Sequence, residues 1–285
     1  MADFIISGFA DEIDQSTDKQ FAHLNELGIS YFEPRGIDGK NISELTLSEA
    51  KELKEKMDRC GIKASSIGSP IGKIKITDDF SEHIKLLEHV IEIAKILDTK
   101  YIRVFSFFIP KEEDPAKYRD EVLSRMKKMA EVAEKNGVIL LHENEKDIYG
   151  DIAPRCKDIF DNVKSPALKG VFDPANFVQC GQVTYPDAFE LLKNNIVYMH
   201  IKDAFFEDGR IVPAGSGDGH VKEIISELAK KNYKGFLSLE PHLGVFGGLD
   251  KLELDDHMLQ LEKSDAGKFT IAYEALNKII DEVNK

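Results

Sequence analysis

Residues 138–147 read VILLHENEKD. Four aliphatic residues run into His142, Glu143, Asn144, Glu145, Lys146 and Asp147. An apolar run of this length is a buried strand. A buried strand that ends in carboxylates raises a question of cost, because a desolvated carboxylate is expensive unless it is paired or bound to a metal. The rest of the chain has to supply what Glu143 is paired with.

Outward from this segment, short β-rich runs alternate with amphipathic stretches along the whole chain. Strands are predicted at about 4–9, 30–33, 63–69, 101–106, 138–143, 168–173, 197–201 and 236–240. Helical spacing of apolar residues predicts helices at about 14–27, 47–60, 80–97, 115–136, 154–163, 186–193, 221–231 and 269–283. Leu27-Gly28, Cys60-Gly61, Asn136-Gly137 and Lys234-Gly235 each precede a strand, as a glycine C-cap would. Eight β-then-α units make an α/β (β/α)8 TIM barrel, whose usual length is about 250 residues. A doubly wound open sheet is the second choice. It fits less well, because Ile5–Phe9 is not followed by a G-x-G-x-x-G turn. No linker, repeat or low-complexity tract divides the chain, so residues 1–285 are read as one barrel domain. The irregular stretch is 241–268, with Gly244, Gly247 and Gly248 and then an acidic amphipathic run. On a barrel, a long loop of this kind is a lid or a subunit contact.

Composition narrows the function. The chain has 285 residues, 42% of them hydrophobic and 31% charged, with a formal net charge of −13. That charge disfavours a nucleic-acid backbone as partner and suits metal ions and neutral polar ligands. Cys60, Cys156 and Cys180 lack CxxC spacing and are expected to be reduced thiols. The N-terminal apolar run is too short for a signal peptide, and nothing approaches the ~20 apolar residues of a membrane span. A cytoplasmic protein without a membrane partner is the expectation.

Barrels build their sites at the C-terminal ends of their strands. There the last four predicted strands carry Glu143 (ILLHE), Asp173 (GVFDPANF), His200 (VYMHIKD) and Glu240 (LSLEPH). Any one of these is ordinarily a solvated loop carboxylate or a hydrogen-bonded core histidine. Four on consecutive strand ends are a different matter, because three close carboxylates repel unless a cation lies among them. Oxygen donors with one imidazole suit Mn²⁺, Mg²⁺, Co²⁺ or a similar divalent ion.

In this order and with these motifs the chain resembles the sugar isomerase/epimerase superfamily of xylose isomerase-like barrels. That superfamily includes ketose 3-epimerases, hydroxypyruvate isomerase, inosose isomerases and dehydratases, and endonuclease IV. The resemblance extends over nearly the whole chain, including YFEPRG, SSIGSPIGK and AGSGDG. It implies that Glu143, Asp173, His200 and Glu240 hold one divalent metal ion, with Mn²⁺ first and Mg²⁺, Co²⁺ or Zn²⁺ as alternatives. It also implies that Glu143 and Glu240 exchange the proton beside a substrate carbonyl. The sequence departs from the epimerase pattern twice. Asn176 stands where a histidine is usual, and Phe206 stands where an arginine is usual, with Arg210 the nearest arginine.

Around this set, Glu33, Asn176, Lys202, Glu145 and Ser66 are the expected substrate contacts. Glu33 and Arg35 are read either as polyol contacts or as an ion pair with each other. Ser66 and Ser69 either offer hydroxyls or form a turn. Arg103 on the fourth strand is placed to reach the site, although a structural role is the preferred reading, and strand alternation turns His142 away from Glu143, between barrel and helices. Asp203 is expected to orient a neighbouring ligand or helix. His242 is read as a site member or a loop cap. Gly215, Gly217 and Gly219 lack the Lys-Ser/Thr of a phosphate loop and are read as a close turn. Phe105, Phe107 and Phe108 are read as core, one of them being available to cover a sugar ring.

The expected activity is metal-dependent isomerisation or epimerisation of a small sugar, keto-sugar or cyclitol through an enediolate, by a homodimer or homotetramer. The alternatives are a lyase or dehydratase on the same scaffold, or a non-catalytic sugar-binding subunit.

Overall fold

The computed structural model describes residues 2–247 and 261–285. Eight parallel strands follow in order: β1 (Asp3–Gly8), β2 (Tyr31–Phe32), β3 (Lys63–Ala64), β4 (Tyr101–Val104), β5 (Ile139–Glu143), β6 (Leu168–Phe172), β7 (Ile196–Ile201) and β8 (Lys234–Leu239). Ladders join β4 through β8 in order, and β8 pairs with β1 in register from Asp3–Lys234 to Gly8–Leu239. Single bonds close the rest of the ring. The Glu33 N–H donates to Gly8 O, β2 pairs with β3, and Ile67 bridges to β4 through Tyr101 O and the Arg103 N–H. The result is a (β/α)8 barrel, and the closure rules out an open doubly wound sheet.

The helices are α1 (Thr17–Glu26), α2 (Leu47–Cys60), α3 (Ser81–Ile96), α4 (Arg119–Asn136), α5 (Ala153–Val163), α6 (Phe189–Leu192), α7 (Val221–Lys230) and α8 (Ala266–Val283). Their ends follow local chemistry. Thr46 and Glu49 form a reciprocal capping box on α2, and Gly61 and Gly137 end α2 and α4 in the left-handed conformation. Gly235 does not act this way. It lies inside β8 opposite Phe4, and the left-handed residue after α7 is Asn232. Asn is the other residue that adopts this conformation cheaply, so a glycine-only rule missed it.

Three other expectations shift. The third strand is two residues long, because the chain turns at Ser65–Ser69 and Gly68 lies against Phe9, where a Cβ would sit 2.7 Å from the ring. A short helix, Pro174–Gln179, follows β6, with Asp173 as N-cap and Pro174 at its first position. The acidic stretch expected after residue 248 lies largely outside the described residues.

Alternation along the strands divides the interior into two zones. Residues 139, 141 and 143 of β5 point one way and 140 and 142 the other. Leu141, Val171 and Tyr198 fill the barrel centre, while Leu140, Phe172, Met199, Leu237 and Leu239 join the layer beneath the helices. Polar residues that share the inner face with Leu141, Val171 and Tyr198 but lie further along the strands line the mouth. Among the described residues no helix is long and apolar enough to cross a membrane.

Candidate metal centre

Glu143 ends β5, Asp173 follows β6, His200 lies in β7 and Glu240 follows β8. One ligand atom from each lies within 4.8 Å of the others, and all four residues are buried. The barrel therefore assembles the four strand-end residues that the sequence singles out.

His200 orders the centre. Its Nδ1 is 3.0 Å from Glu143 Oε1 and 3.7 Å from Glu240 Oε2, while Nε2 is 3.3 Å from Glu33 Oε2. Burial alone would lower this imidazole, but Glu143 and Glu33 outweigh it and carry it up to about 10. Glu33 is thus a partner of His200 and not of Arg35, and its Oε1 is itself buried without a hydrogen bond. Its Oε2 accepts from Tyr198 Oη and Ser238 Oγ, both at 2.8 Å, and it supports the imidazole from beneath. A carboxylate on the second nitrogen of a ligand histidine fixes its tautomer and leaves Nδ1 for a metal.

Asn144 and Asn176 set the spacing of the acids. The side chain of Asn144 accepts the Asp173 N–H at 3.0 Å and donates to Asp173 O at 2.9 Å. Asn176 donates through Nδ2 to Glu143 Oε1 at 3.2 Å and to Asn144 O at 2.9 Å. Its amide hydrogens are spent on the protein, so Oδ1 is what it offers a ligand. Asp173 Oδ1 caps the short helix through the Asn176 N–H.

Lys202 lies 3.1 Å from Asp173 Oδ2 and 3.0 Å from Glu240 Oε2, as its alternation with His200 requires. Glu240 also accepts from Arg35 at 3.0 Å, and the His242 ring stands 3.5 Å away. Burial opposes ionisation of Glu240, yet Lys202, His242, His200 and Arg35 together hold it well below the usual carboxylate range. Asp173 behaves oppositely. Burial, opposed by Lys202 and reinforced by Glu240 and Glu143, raises it to about 7. Burial and the nearby Glu240 charge push Glu143 up, but His200 and Arg103 together hold it below its ordinary value.

The donor set fits a divalent ion. Three carboxylates and one imidazole suit Mg²⁺ or Mn²⁺. Glu143 Oε2 is buried and accepts no hydrogen bond among the described residues, and the buried Asp173 Oδ2 has the Lys202 ammonium 3.1 Å away; a cation between these oxygens would offset the cost of burying them.

Other expected residues fall differently. Glu145 pairs with Lys73 at 3.1 Å. Ser66 is buried with its hydroxyl unpartnered, whereas Ser69 donates to Arg103 O and accepts the Ile71 N–H, as a turn former does. His142 packs edge-on against Phe160 of α5, and burial lowers it to about 3. Arg210 is an exposed partner of Asp208 and Phe205, and Phe206 is also exposed. Asp203 holds a loop rather than a ligand: its carboxylate accepts from the N–H groups of Ala204, Gly215, Gly217 and Gly219. A Cβ on Gly217 would come within 2.5 Å of this carboxylate, which explains the glycine there. Phe105 flanks Arg103 and Lys73, while Phe107 packs with Phe80.

Arg103 takes the less favoured of its two readings and reaches the site: its Nη1 lies 3.4 Å from Glu143 Oε2 and 3.7 Å from Glu240 Oε1. It pairs in register with the inward-facing Leu141, and its length carries the guanidinium up to the glutamates. Phe9, Asp11 and Glu12 went unread in the sequence. Phe9 stacks under Arg35 and Arg103, Asp11 and Glu12 bind Arg35, and Glu12 is raised to about 8, mainly by burial.

Comparison with known proteins agrees with this geometry. The model of the xylose isomerase-like TIM barrel family matches residues 21–254, and the chain belongs to that family. Functionally curated proteins give no match. Among solved structures, L-ribulose 3-epimerase is 16% identical over 100% of this chain and 96% of its own, with a TM-score of 0.74. A probable 3-DHS dehydratase involved in petrobactin synthesis from Bacillus anthracis is 19% identical over 91% and 98%, with a TM-score of 0.67. A xylose isomerase-like TIM barrel protein from Mycobacterium smegmatis in complex with magnesium is 16% identical over 98% and 97%, with a TM-score of 0.70. At these identities the likeness is one of fold.

Proposed function

We propose that the chain is a metal-dependent isomerase or epimerase acting on a small polyhydroxylated carbonyl compound. The observation that carries this reading is the convergence of Glu143, Asp173, His200 and Glu240 within 4.8 Å at the barrel mouth. A divalent ion held by these four, with Mn²⁺ proposed, would polarise a substrate carbonyl and the neighbouring hydroxyl.

The protein's own part is proton transfer and charge control. Glu143 keeps Oε2 without a hydrogen bond while Asn176 anchors Oε1, so Oε2 is the oxygen that gives or takes a proton. Glu240 is held ionised by Lys202 and Arg35 and acts as the acceptor. Glu240 takes the proton from the carbon beside the carbonyl, and the enediolate regains one from Glu143, which first takes that proton up from water. Lys202, Asn176 and Arg103 border the space between them.

A second reading, dehydration on the same scaffold, has one observation in its favour. Both oxygens of Glu240 are committed to cations, which suits a base that leaves protonation to another group. The two are separated by nuclear magnetic resonance of Mn²⁺-loaded protein with ketoses and cyclic hydroxyketones in D₂O. Isomerisation incorporates deuterium without loss of water, whereas dehydration yields an enone. Glu240→Gln is expected to lower exchange by about 10²–10⁴-fold. Undiminished exchange in that variant removes Glu240 from the chemistry.

A further inference from the structure

Four cations border the centre, and three are fully engaged. Arg35 bonds to Asp11 at 2.8 and 3.0 Å, to Glu12 at 3.2 Å and to Glu240 at 3.0 Å. Lys202 bridges Asp173 and Glu240, and Lys73 meets Glu145. Arg103 is the exception. It is 3% exposed, its Nε has no hydrogen-bond partner among the described residues, and its Nη1 faces Glu143 Oε2 at 3.4 Å and Glu240 Oε1 at 3.7 Å. Its one hydrogen bond, from Nη2 to Ser69 O, is 3.5 Å long. The guanidinium is nevertheless held in place, its carbon 5.0 Å from the rings of both Phe9 and Phe105.

A buried guanidinium fixed by two rings with its Nε unspent can receive a ligand. The nearby negative charge is already shared: Arg35 and Lys202 hold Glu240, and His200 holds Glu143. A hydroxyl would meet one donor of Arg103, whereas a carboxylate matches its planar fork with two charge-assisted bonds. We propose that Arg103 receives a carboxylate of the substrate, so that the substrate is a polyhydroxylated acid and not a neutral sugar. This rests on the reading of the mouth as the substrate site, and it names the substrate class.

The test is calorimetric titration of Mn²⁺-loaded protein with two matched pairs, glucuronate against glucose and quinate against myo-inositol. The acid of at least one pair is expected to bind about tenfold or more tighter than its neutral partner. R103Q, shown to be folded by circular dichroism and thermal unfolding, should reduce that preference to whatever the ion alone supplies. Any attraction of acids to the ion itself survives in R103Q and is thereby subtracted. If R103Q does not fold, R103K carries the test: it keeps a cation without the fork and should retain only part of the preference. Acids binding no better than neutral partners in the wild type, undetectable binding of both included, overturn the proposal, as does a preference that is undiminished in R103Q. The outcome is separable from the reaction. Acid preference without solvent exchange keeps Arg103 and removes the isomerase reading; exchange into neutral ketoses without acid preference does the reverse.

Discussion

Arg35 and Arg103 lie 4.3 and 5.0 Å from the same ring, that of Phe9, and both are buried. Around Arg35, on the β8–β1–β2 side of the mouth, every guanidinium nitrogen meets a carboxylate oxygen at 2.8–3.2 Å. Around Arg103, on the β4–β5 side, Nε and the facing Glu143 Oε2 stay without hydrogen bonds. Charge type and burial are alike on the two sides. Satisfaction of the donors differs, and with it the work each side can do. A closed network supports structure, whereas one with open valences binds ligands.

Removing each arginine tests this contrast most directly. Arg35→Met strands Asp11, Glu12 and Glu240 without their shared cation and should cost about 3–5 kcal/mol in urea unfolding. Arg103→Met breaks no short hydrogen bond and should cost about 1 kcal/mol or less. Equal losses would collapse the distinction.

Acid should loosen the open side. His83 Nε2 accepts the Gly72 N–H at 2.7 Å, and Gly72 packs so tightly on Phe105, a stacking partner of Arg103, that a Cβ would lie 2.0 Å from Phe105 O. Burial, helped by Arg125, lowers His83 to about 4, below its ordinary 6.5. Between those values the unfolded chain binds the extra proton, so the stability this group contributes is complete above pH 6.5 and lost as pH falls to 4. The loss is about 3 kcal/mol from His83. A His83→Gln variant should show a shallower fall in urea midpoint over that range. An unchanged slope would show that the loop does not depend on a neutral His83.

Glu33→Gln probes the support beneath the metal centre. It keeps the shape but weakens the hold on His200 Nε2, and Mn²⁺ affinity measured by calorimetry should fall about 10- to 100-fold. Unaltered affinity would leave Glu33 a role in barrel packing alone.

The four strand-end residues were legible in the sequence because two-residue alternation and barrel topology are local rules. Each of Glu143, Asp173, His200 and Glu240 needed its own strand identified and nothing else. The closed network around Arg35 was not legible. It joins residues 24 and 205 positions apart, and YFEPRG carries no mark that Arg35 reaches Glu240 while Glu33 turns to His200. Nor does any spacing distinguish an arginine with satisfied donors from one without. The Pro174 helix was within reach, since Asp-Pro is a helix-start signal, but its six residues are too few to show periodicity.

The paired bonds between Asn144 and the Asp173 backbone act as one more rung, made by a side chain, beyond the last rung of the β5–β6 ladder. Mechanically, two ligand-bearing strand ends become a single part. The loops beyond them can then be lengthened, shortened or exchanged without altering the distance between Glu143 and Asp173. A scaffold of this kind separates what is bound from how the metal is held, so new substrates can be acquired by changing loops while the ion's seat is inherited unchanged.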